Sequence, residues 1–189
     1  RSDARVFEDS FYRSDSSGFL KPGRPQIFVV SADGGIPVQL TKENHLHTGT
    51  LSWTPDGDSI YFSSNYNDDW QIDRSESDLF NVRVDTRKVT RITDRDGPDS
   101  EPAVSPDGKW LAYIGSNDDK KYQDGKVYLS SITNHQPRLL FDLDRSVRKI
   151  VWSSGSKAIY FSYIDKSVAK VGRADLKGRS ADIASGLGG

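Results

Sequence analysis

Aspartate is the residue type best placed to do chemistry in this chain. Asp68-Asp69 and Asp118-Asp119 are two carboxylate pairs lying 50 positions apart. Two carboxyl groups held roughly 5–10 Å apart are the equipment of glycoside hydrolysis. Asn117, Asp118, Asp119 and Asp124, or Asp142 and Asp144, offer the oxygen ligands that calcium takes, about six to eight at a time. No EF-hand spacing organises them, and aspartates in polar loops are ordinarily solvated, so the hydrated-loop reading is preferred to both. His45 and His47 are two apart and would share one face of a strand. Zinc needs a third and fourth ligand, and the other histidine, His135, falls in a turn at the opposite end of its strands. Ser153-Ser154-Gly155-Ser156 invites a search for a nucleophile, but no Gly-x-Ser-x-Gly occurs in the chain. Cysteine is absent, which removes thiol catalysis, cysteine metal sites and disulfides.

The elements that would carry these residues follow from a repeat. Leu51-Ser52-Trp53-Thr54-Pro55-Asp56-Gly57 leads into Ile60-Tyr61-Phe62, Ser105-Pro106-Asp107-Gly108 into Leu111-Ala112-Tyr113, and Ser153-Ser154-Gly155-Ser156 into Ile159-Tyr160-Phe161. Proline presets φ, aspartate binds the local backbone and glycine accepts positive φ, so Pro-Asp-Gly between β-branched and aromatic residues marks a tight hairpin. A second hairpin follows each of these, around Asp85-Thr86-Arg87-Lys88 and Thr133-Asn134-His135-Gln136. An earlier hairpin surrounds Asp33-Gly34-Gly35, and a degraded one surrounds Asp175-Leu176-Lys177-Gly178. Phe28 to Phe80 is 52 residues and Phe80 to Tyr128 is 48.

Four antiparallel strands every 48–52 residues predict an all-β fold, a β-propeller of four-stranded blades. The blades are expected at about 50–93, 102–140 and 149–184, with a partial blade at 1–41, in one propeller segment with no catalytic domain. A ring must close, so three blades and a part predict a piece of a larger propeller. The absence of methionine, even at position 1, fits an excised or processed chain.

With strands labelled a to d in each blade, the a–b and c–d turns are too short to build a pocket. The b–c connections, 65–77 and 116–125, and the d–a connections, 94–101 and 142–148, are longer and polar. Contacts with a ligand or partner are therefore expected on that face or in the central channel. Recurrent Trp53, Trp152, Tyr61, Tyr113 and Tyr160 read as core. Trp70 lies outside the repeat, in a b–c loop, and is the better candidate for contact. Lysine plus arginine number 26 against 27 acidic residues, a net charge of −1, which argues against a phosphate-driven nucleic-acid binder and a basic membrane-surface protein. The longest strongly apolar runs, such as 27–30, are far too short for a membrane span, and no secretory apolar region is visible.

The Ser/Thr-Pro-Asp-Gly hairpins resemble the WD-like repeats of TolB propellers and of serine peptidases of the prolyl-oligopeptidase family. Asp15-Ser16-Ser17-Gly18-Phe19-Leu20, with Arg24 and Gln26-Ile27-Phe28-Val29-Val30 after it, looks like the acylaminoacyl-peptidase branch. Leu143-Asp144-Arg145-Ser146-Val147 and Glu101-Pro102-Ala103 are similar to stretches of the same branch. Ser16 stands where that branch has glycine, and the third blade lacks Pro-Asp-Gly. The resemblance implies a propeller that caps an α/β-hydrolase domain of the same parent chain and restricts access to short peptides. The sequence does not fix the compartment, with the cytoplasm slightly favoured over the periplasm. No triad motif is present, so no catalytic, cofactor or metal residue is carried over. Trp70, Asp68, Asp69, Asp118, Asp119 and Arg145 are the expected contact residues. The alternative is a TolB-like, non-enzymatic protein-binding propeller of a cell envelope.

Overall fold

The structure, a computed structural model, describes residues 13–14, 18–19, 23–42, 45–73, 75–116 and 124–186. Two short hairpins come first: β1 (Arg13–Ser14) with β2 (Gly18–Phe19), and β3 (Phe28–Val29) with β4 (Val38–Gln39). Three four-stranded antiparallel sheets follow, each in simple up-and-down order. Blade 1 is β5 (Leu46–Trp53), β6 (Ser59–Asn65), β7 (Asp78–Arg83) and β8 (Val89–Arg91). Blade 2 is β9 (Asp99–Val104), β10 (Trp110–Gly115), β11 (Lys126–Ser131) and β12 (Arg138–Phe141). Blade 3 is β13 (Val147–Trp152), β14 (Ala158–Asp165), β15 (Val168–Asp175) and β16 (Ser180–Ser185). The described residues contain no helix, and the predicted all-β propeller of four-stranded blades is what the chain forms.

The a–b turns close as their residue types require. Thr54 Oγ1 donates to Asp56 Oδ1 at 2.6 Å and accepts from Ser59 N at 3.0 Å; Ser105 Oγ does the same with Asp107 (2.6 Å) and Trp110 N (2.9 Å). These hydroxyl bonds hold the Asp56 and Asp107 carboxyls below their ordinary range. Gly57 and Gly108 sit at φ +78° and +69°, where a side chain is strained. In blade 3 Ser156, at φ +56°, takes that slot. Its hydroxyl accepts a hydrogen bond from Asp107 N at 3.0 Å, so the turn that lost Pro-Asp-Gly gained a tie to its neighbour.

Each blade has two apolar faces, one turned forward along the chain and one backward. Successive strand residues alternate between them. Ile27 and Leu40, on the forward side of the β3–β4 hairpin, pack on Ile60, Phe62, Phe80 and Val82, the backward face of blade 1. Tyr61 and Leu79, forward from blade 1, pack on Leu111, Tyr113 and Tyr128 of blade 2. Ala112, Ile114, Val127 and Leu129, forward from blade 2, meet Ile150, Ile159, Phe161 and Tyr163 of blade 3. The core is thus a series of joints between sheets. The a strands β5, β9 and β13 of successive blades approach one another along the inner edge. There Ser52 Oγ accepts from Val104 N at 2.9 Å and Trp152 Nε1 donates to Ala103 O at 2.8 Å.

The recurrent aromatics divide by this geometry. Tyr61 and Tyr113 are buried as expected, but Trp53 and Tyr160 are 49% and 37% exposed: among the described residues only the two-stranded β3–β4 hairpin packs on the Trp53 face of blade 1, and no strand packs on the Tyr160 face of blade 3. In β15 the slot of Phe80 and Tyr128 holds Gly172, and the Phe161 ring fills the space; a Cβ there would stand 2.2 Å from Phe161 Cζ. Gly172→Val should displace that ring from the joint between blades 2 and 3 and cost about 1–3 kcal/mol, read as a lowered thermal midpoint with an unchanged far-ultraviolet spectrum.

Candidate functional site

The longer connections all emerge at one end of the strands, so the b–c/d–a face is the candidate site. In blade 1 the connection after β6 folds back on itself. Asn65 Nδ2 donates to Asp73 O at 2.7 Å, and Asp69 O accepts from Ile72 N (2.7 Å) and Asp73 N (3.0 Å). This coil turns Trp70 inward, where it is 7% exposed and the Arg24 guanidinium lies over its ring at 4.7 Å. Trp70 therefore spends its ring on an internal cation–π contact. Asp68 and Asp69 point outward and are exposed. Asp118 and Asp119, with Asn117, lie outside the described residues.

Behind this loop is a cluster of charges at the joint of blades 1 and 2 that sequence reasoning missed. Arg91 Nε donates to Asp78 Oδ2 at 2.9 Å, and Thr93 Oγ1 accepts from Leu79 N at 2.9 Å. Arg95 pairs with Asp99, its Nε 3.2 Å from Oδ2, and its guanidinium lies 4.0 Å over the Tyr128 ring. Asp99 is completely buried. Ser77 and Asp99 exchange two hydrogen bonds, Asp99 N to Ser77 O (2.7 Å) and Ser77 Oγ to Asp99 O (3.0 Å). Glu76 bridges the two connections by accepting from Ser77 N and Gly97 N, each at 3.1 Å. Burial pushes the carboxyls of Asp99, Asp78 and Glu76 up, against the pull of their donors. Burial also works against the charge of Arg95, but the hydrogen bonds and field of Asp99 outweigh it and hold the guanidinium charged.

The joint of blades 2 and 3 is tied differently. Lys126 Nζ reaches Asp142 Oδ2 at 2.5 Å, and Ser146 Oγ donates to Asp124 Oδ1 at 2.7 Å. Arg145 bonds Asp165 of β14 at 3.1 Å, and Lys170 holds the other Asp165 oxygen at 3.0 Å. Asp78, Lys126 and Lys170 occupy one register slot, two residues before Phe80, Tyr128 and Gly172. Each pairs with a residue on or beside strand d of its own blade: Arg91, Asp142 and Asp182. Three blades thus carry a c–d ion pair at one level, with its sign reversed in two of them.

Among the described residues no anticipated metal constellation comes together, while the pairing of Asp68-Asp69 with Asp118-Asp119 lies partly outside them. Asp124 and Asp142 are taken by a serine and a lysine, and Asp144 lies exposed at φ +51°. His45 stacks on Tyr66 at 3.9 Å, and His47 Nδ1 is 2.9 Å from Ser64 Oγ. His135 is bonded through Nε2 to Tyr61 OH at 3.0 Å across the joint at the other end of the strands; burial lowers its pKa and pushes Tyr61 up to about 12. No group of three or more His, Cys, Asp or Glu that could hold a metal occurs among the described residues. One inner-edge feature was also unforeseen. Glu101 adopts φ +51° at a bulge in β9, next to a proline that ordinarily favours extended backbone, and its Oε2 accepts from Thr50 Oγ1 at 3.2 Å.

With that geometry in view, the chain can be set beside known proteins. No family model matches it. It is 27% identical over 138 residues to dipeptidyl-peptidase 5 of Arthroderma otae, covering 66% of this chain and 19% of that protein. It is 29% identical over 124 residues to the Tol-Pal system protein TolB of Francisella tularensis, covering 65% of this chain and 26% of that protein. The chain therefore spans about a fifth to a quarter of these curated relatives. Among solved structures, TolB of Acinetobacter baumannii superposes with a TM-score of 0.67 at 17% identity, covering 89% of this chain and 40% of that one. An acylaminoacyl peptidase in complex with Z-Gly-Gly-Phe-chloromethyl ketone superposes with a TM-score of 0.54 at 11% identity, covering 73% of this chain and 25% of that one.

The chain is a propeller segment related to those of dipeptidyl-peptidase 5 and TolB. The solved structures, at these identities, speak for the fold. The curated relatives support the resemblance to peptidase propellers seen in the hairpin motifs, and they extend equally to TolB. No helix among the described residues is long and apolar enough to cross a membrane.

The buried pair gives this segment a test independent of ligand. Asp99→Asn leaves Arg95 without its counter-charge and should cost about 3–5 kcal/mol. The double replacement Arg95→Leu with Asp99→Leu should recover most of that loss, measured by denaturant unfolding of both variants.

Proposed function

We propose that this segment is the non-catalytic propeller portion of a serine oligopeptidase of the acylaminoacyl-peptidase type, limiting access of short peptides to an α/β-hydrolase domain outside these residues. The observation that carries the reading is the match to dipeptidyl-peptidase 5 over 138 residues, two thirds of the chain. The acylaminoacyl-peptidase superposition supports it at the level of fold. On this reading the connections of the b–c/d–a face meet either the hydrolase domain or the peptide. Exposed Asp68 and Asp69 are placed to do so, with Arg145, which is exposed while bonded to Asp165, and with Asp118 and Asp119 as candidates by sequence alone. Four of the five are aspartates, so the set suits a neutral or cationic peptide or domain surface better than a polyanion. No cofactor or metal enters this reading, and the parent protein would be cytoplasmic.

A second reading rests on the TolB match at 29% identity: a non-enzymatic propeller that binds a protein partner. The two part on the chemistry of the parent protein. A fluorophosphonate probe, which labels active serine hydrolases, should label the full parent protein and leave residues 1–189 unlabelled. An unlabelled but folded parent that retains a protein in a pull-down would establish the second reading instead. Labelling of residues 1–189 alone would overturn both.

A further inference from the structure

His45 stacks on Tyr66 and His47 bonds Ser64, both within blade 1, but the bond of His135 crosses from one blade to the next. His135 sits in the c–d turn of blade 2 at φ +50°, where its backbone N donates to Ser131 O at 2.9 Å. Its Nε2 lies 3.0 Å from the hydroxyl of Tyr61, on β6 of blade 1. Tyr61 is 3% exposed and packs in the joint with Leu111 and Tyr113. Its phenol keeps its proton, since burial pushes it up to about 12. Among the described residues that hydroxyl has no other hydrogen-bond partner, so it donates, and Nε2 of a neutral imidazole accepts. Protonation of the ring turns Nε2 into a donor. The hydroxyl must then accept, and its own hydrogen is left without an acceptor inside the joint.

The charged groups around this contact do not compensate an imidazolium. From blade 1, Asp56 of the a–b turn acts on the Tyr61 hydroxyl, and Arg83 is paired with Asp85 and Asp58. In blade 2 the rest of the turn, 132–136, carries no charged residue. Lys109, whose carbonyl accepts from Ile132 N at 3.0 Å, and Arg138, bonded to Leu176 O, are both cations. On the ring itself the acting influence is burial, which favours the neutral form. We propose that the Tyr61–His135 contact is a pH-sensitive clasp between blades 1 and 2, closed while the imidazole is neutral and loosened when acid protonates it. The opposite end of the same joint responds the other way. Burial raises the carboxyls of Asp99, Asp78 and Glu76, so the folded chain takes up those protons more readily than the unfolded one, and mild acid does not unfasten that end. Asp56 and Asp107 are held low and keep their charge over the same range. The clasp rests on the geometry of one joint and holds under either reading of function.

A histidine titration followed by NMR tests the clasp, with the His135 resonance assigned by its loss in His135→Asn. Asparagine tolerates left-handed backbone, so the turn is kept. The His135 midpoint should lie below the ordinary histidine value of 6.5. Tyr61→Phe keeps the ring and removes the donor to the neutral imidazole, and it should move that midpoint up. Urea unfolding at about pH 7.5 and about pH 5 supplies a second readout. Because the folded ring holds its proton less tightly than the unfolded one, its contribution to stability is full above about pH 6.5 and is lost as the pH falls below that value. From the higher pH to the lower, the unfolding constant of the chain should therefore rise by at least about twofold more than that of His135→Asn. The variant retains His45 and His47, so their titration is common to both. A His135 midpoint at or above 6.5 would overturn the proposal. So would a midpoint that Tyr61→Phe leaves in place, or the same pH dependence of unfolding in the chain and in His135→Asn.

Discussion

A four-stranded sheet with apolar residues on both faces cannot satisfy itself, and that constraint organises everything else in this molecule. Burying one large apolar side chain contributes about 1.5–3 kcal/mol, and in this chain the side chains that do so lie between sheets. Phe62, Tyr113, Leu79 and Ile159 are essentially inaccessible because the next or the preceding blade stands over them. Local hairpins supply the strands, but their stability comes from neighbours. The same logic explains why Gly172 is tolerated at a position held elsewhere by aromatics. The volume it gives up is filled by Phe161 from the adjacent strand, so the joint stays packed.

The polar features are arranged around those joints. At one end the hydroxyl–carboxylate turns stiffen the a–b hairpins of blades 1 and 2, and Ser156 of blade 3 reaches across to the turn of blade 2. At the other end, ion pairs tie strand c to strand d within each blade, and Arg95–Asp99 and Arg145–Asp165 fasten the connections between blades. A buried pair of this sort is weak evidence of net stabilisation, since desolvating both charges offsets much of their attraction. The alignment of blades 1 and 2 is marked instead by the two hydrogen bonds between Ser77 and Asp99, since Arg95 and Asp99 lie four residues apart in one connection.

Much of the fold was legible in the chain because its signals are local. Pro-Asp-Gly between aromatic and β-branched residues marks a hairpin, and the 48–52-residue recurrence counts the blades. The site was less legible, since its determinants are distant contacts. Trp70 reads as a loop residue open to contact, yet the backbone bonds of Asp69 and Asn65 wind the loop so that it turns under Arg24. Arg95 and Asp99 look like ordinary loop charges until blade 2 closes over them. Glu101 precedes a proline, which predicts extended backbone, but the bulge in β9 requires positive φ. The recurrent aromatics share one pattern in sequence, and only the sequence of blades decides which are covered: Tyr61 has blade 2 in front of it, and among the described residues no blade stands in front of Tyr160.

That last contrast carries the central claim, that stability here resides in coverage of blade faces and not in the blades themselves. Tyr61→Ala and Tyr160→Ala remove the same side chain from the same slot of two blades. Their unfolding free energies, measured under identical conditions, test the claim directly. Coverage predicts a loss of about 3 kcal/mol or more for Tyr61→Ala, the range of large core truncations, and under about 1 kcal/mol for Tyr160→Ala. Equal losses at the two positions would contradict it.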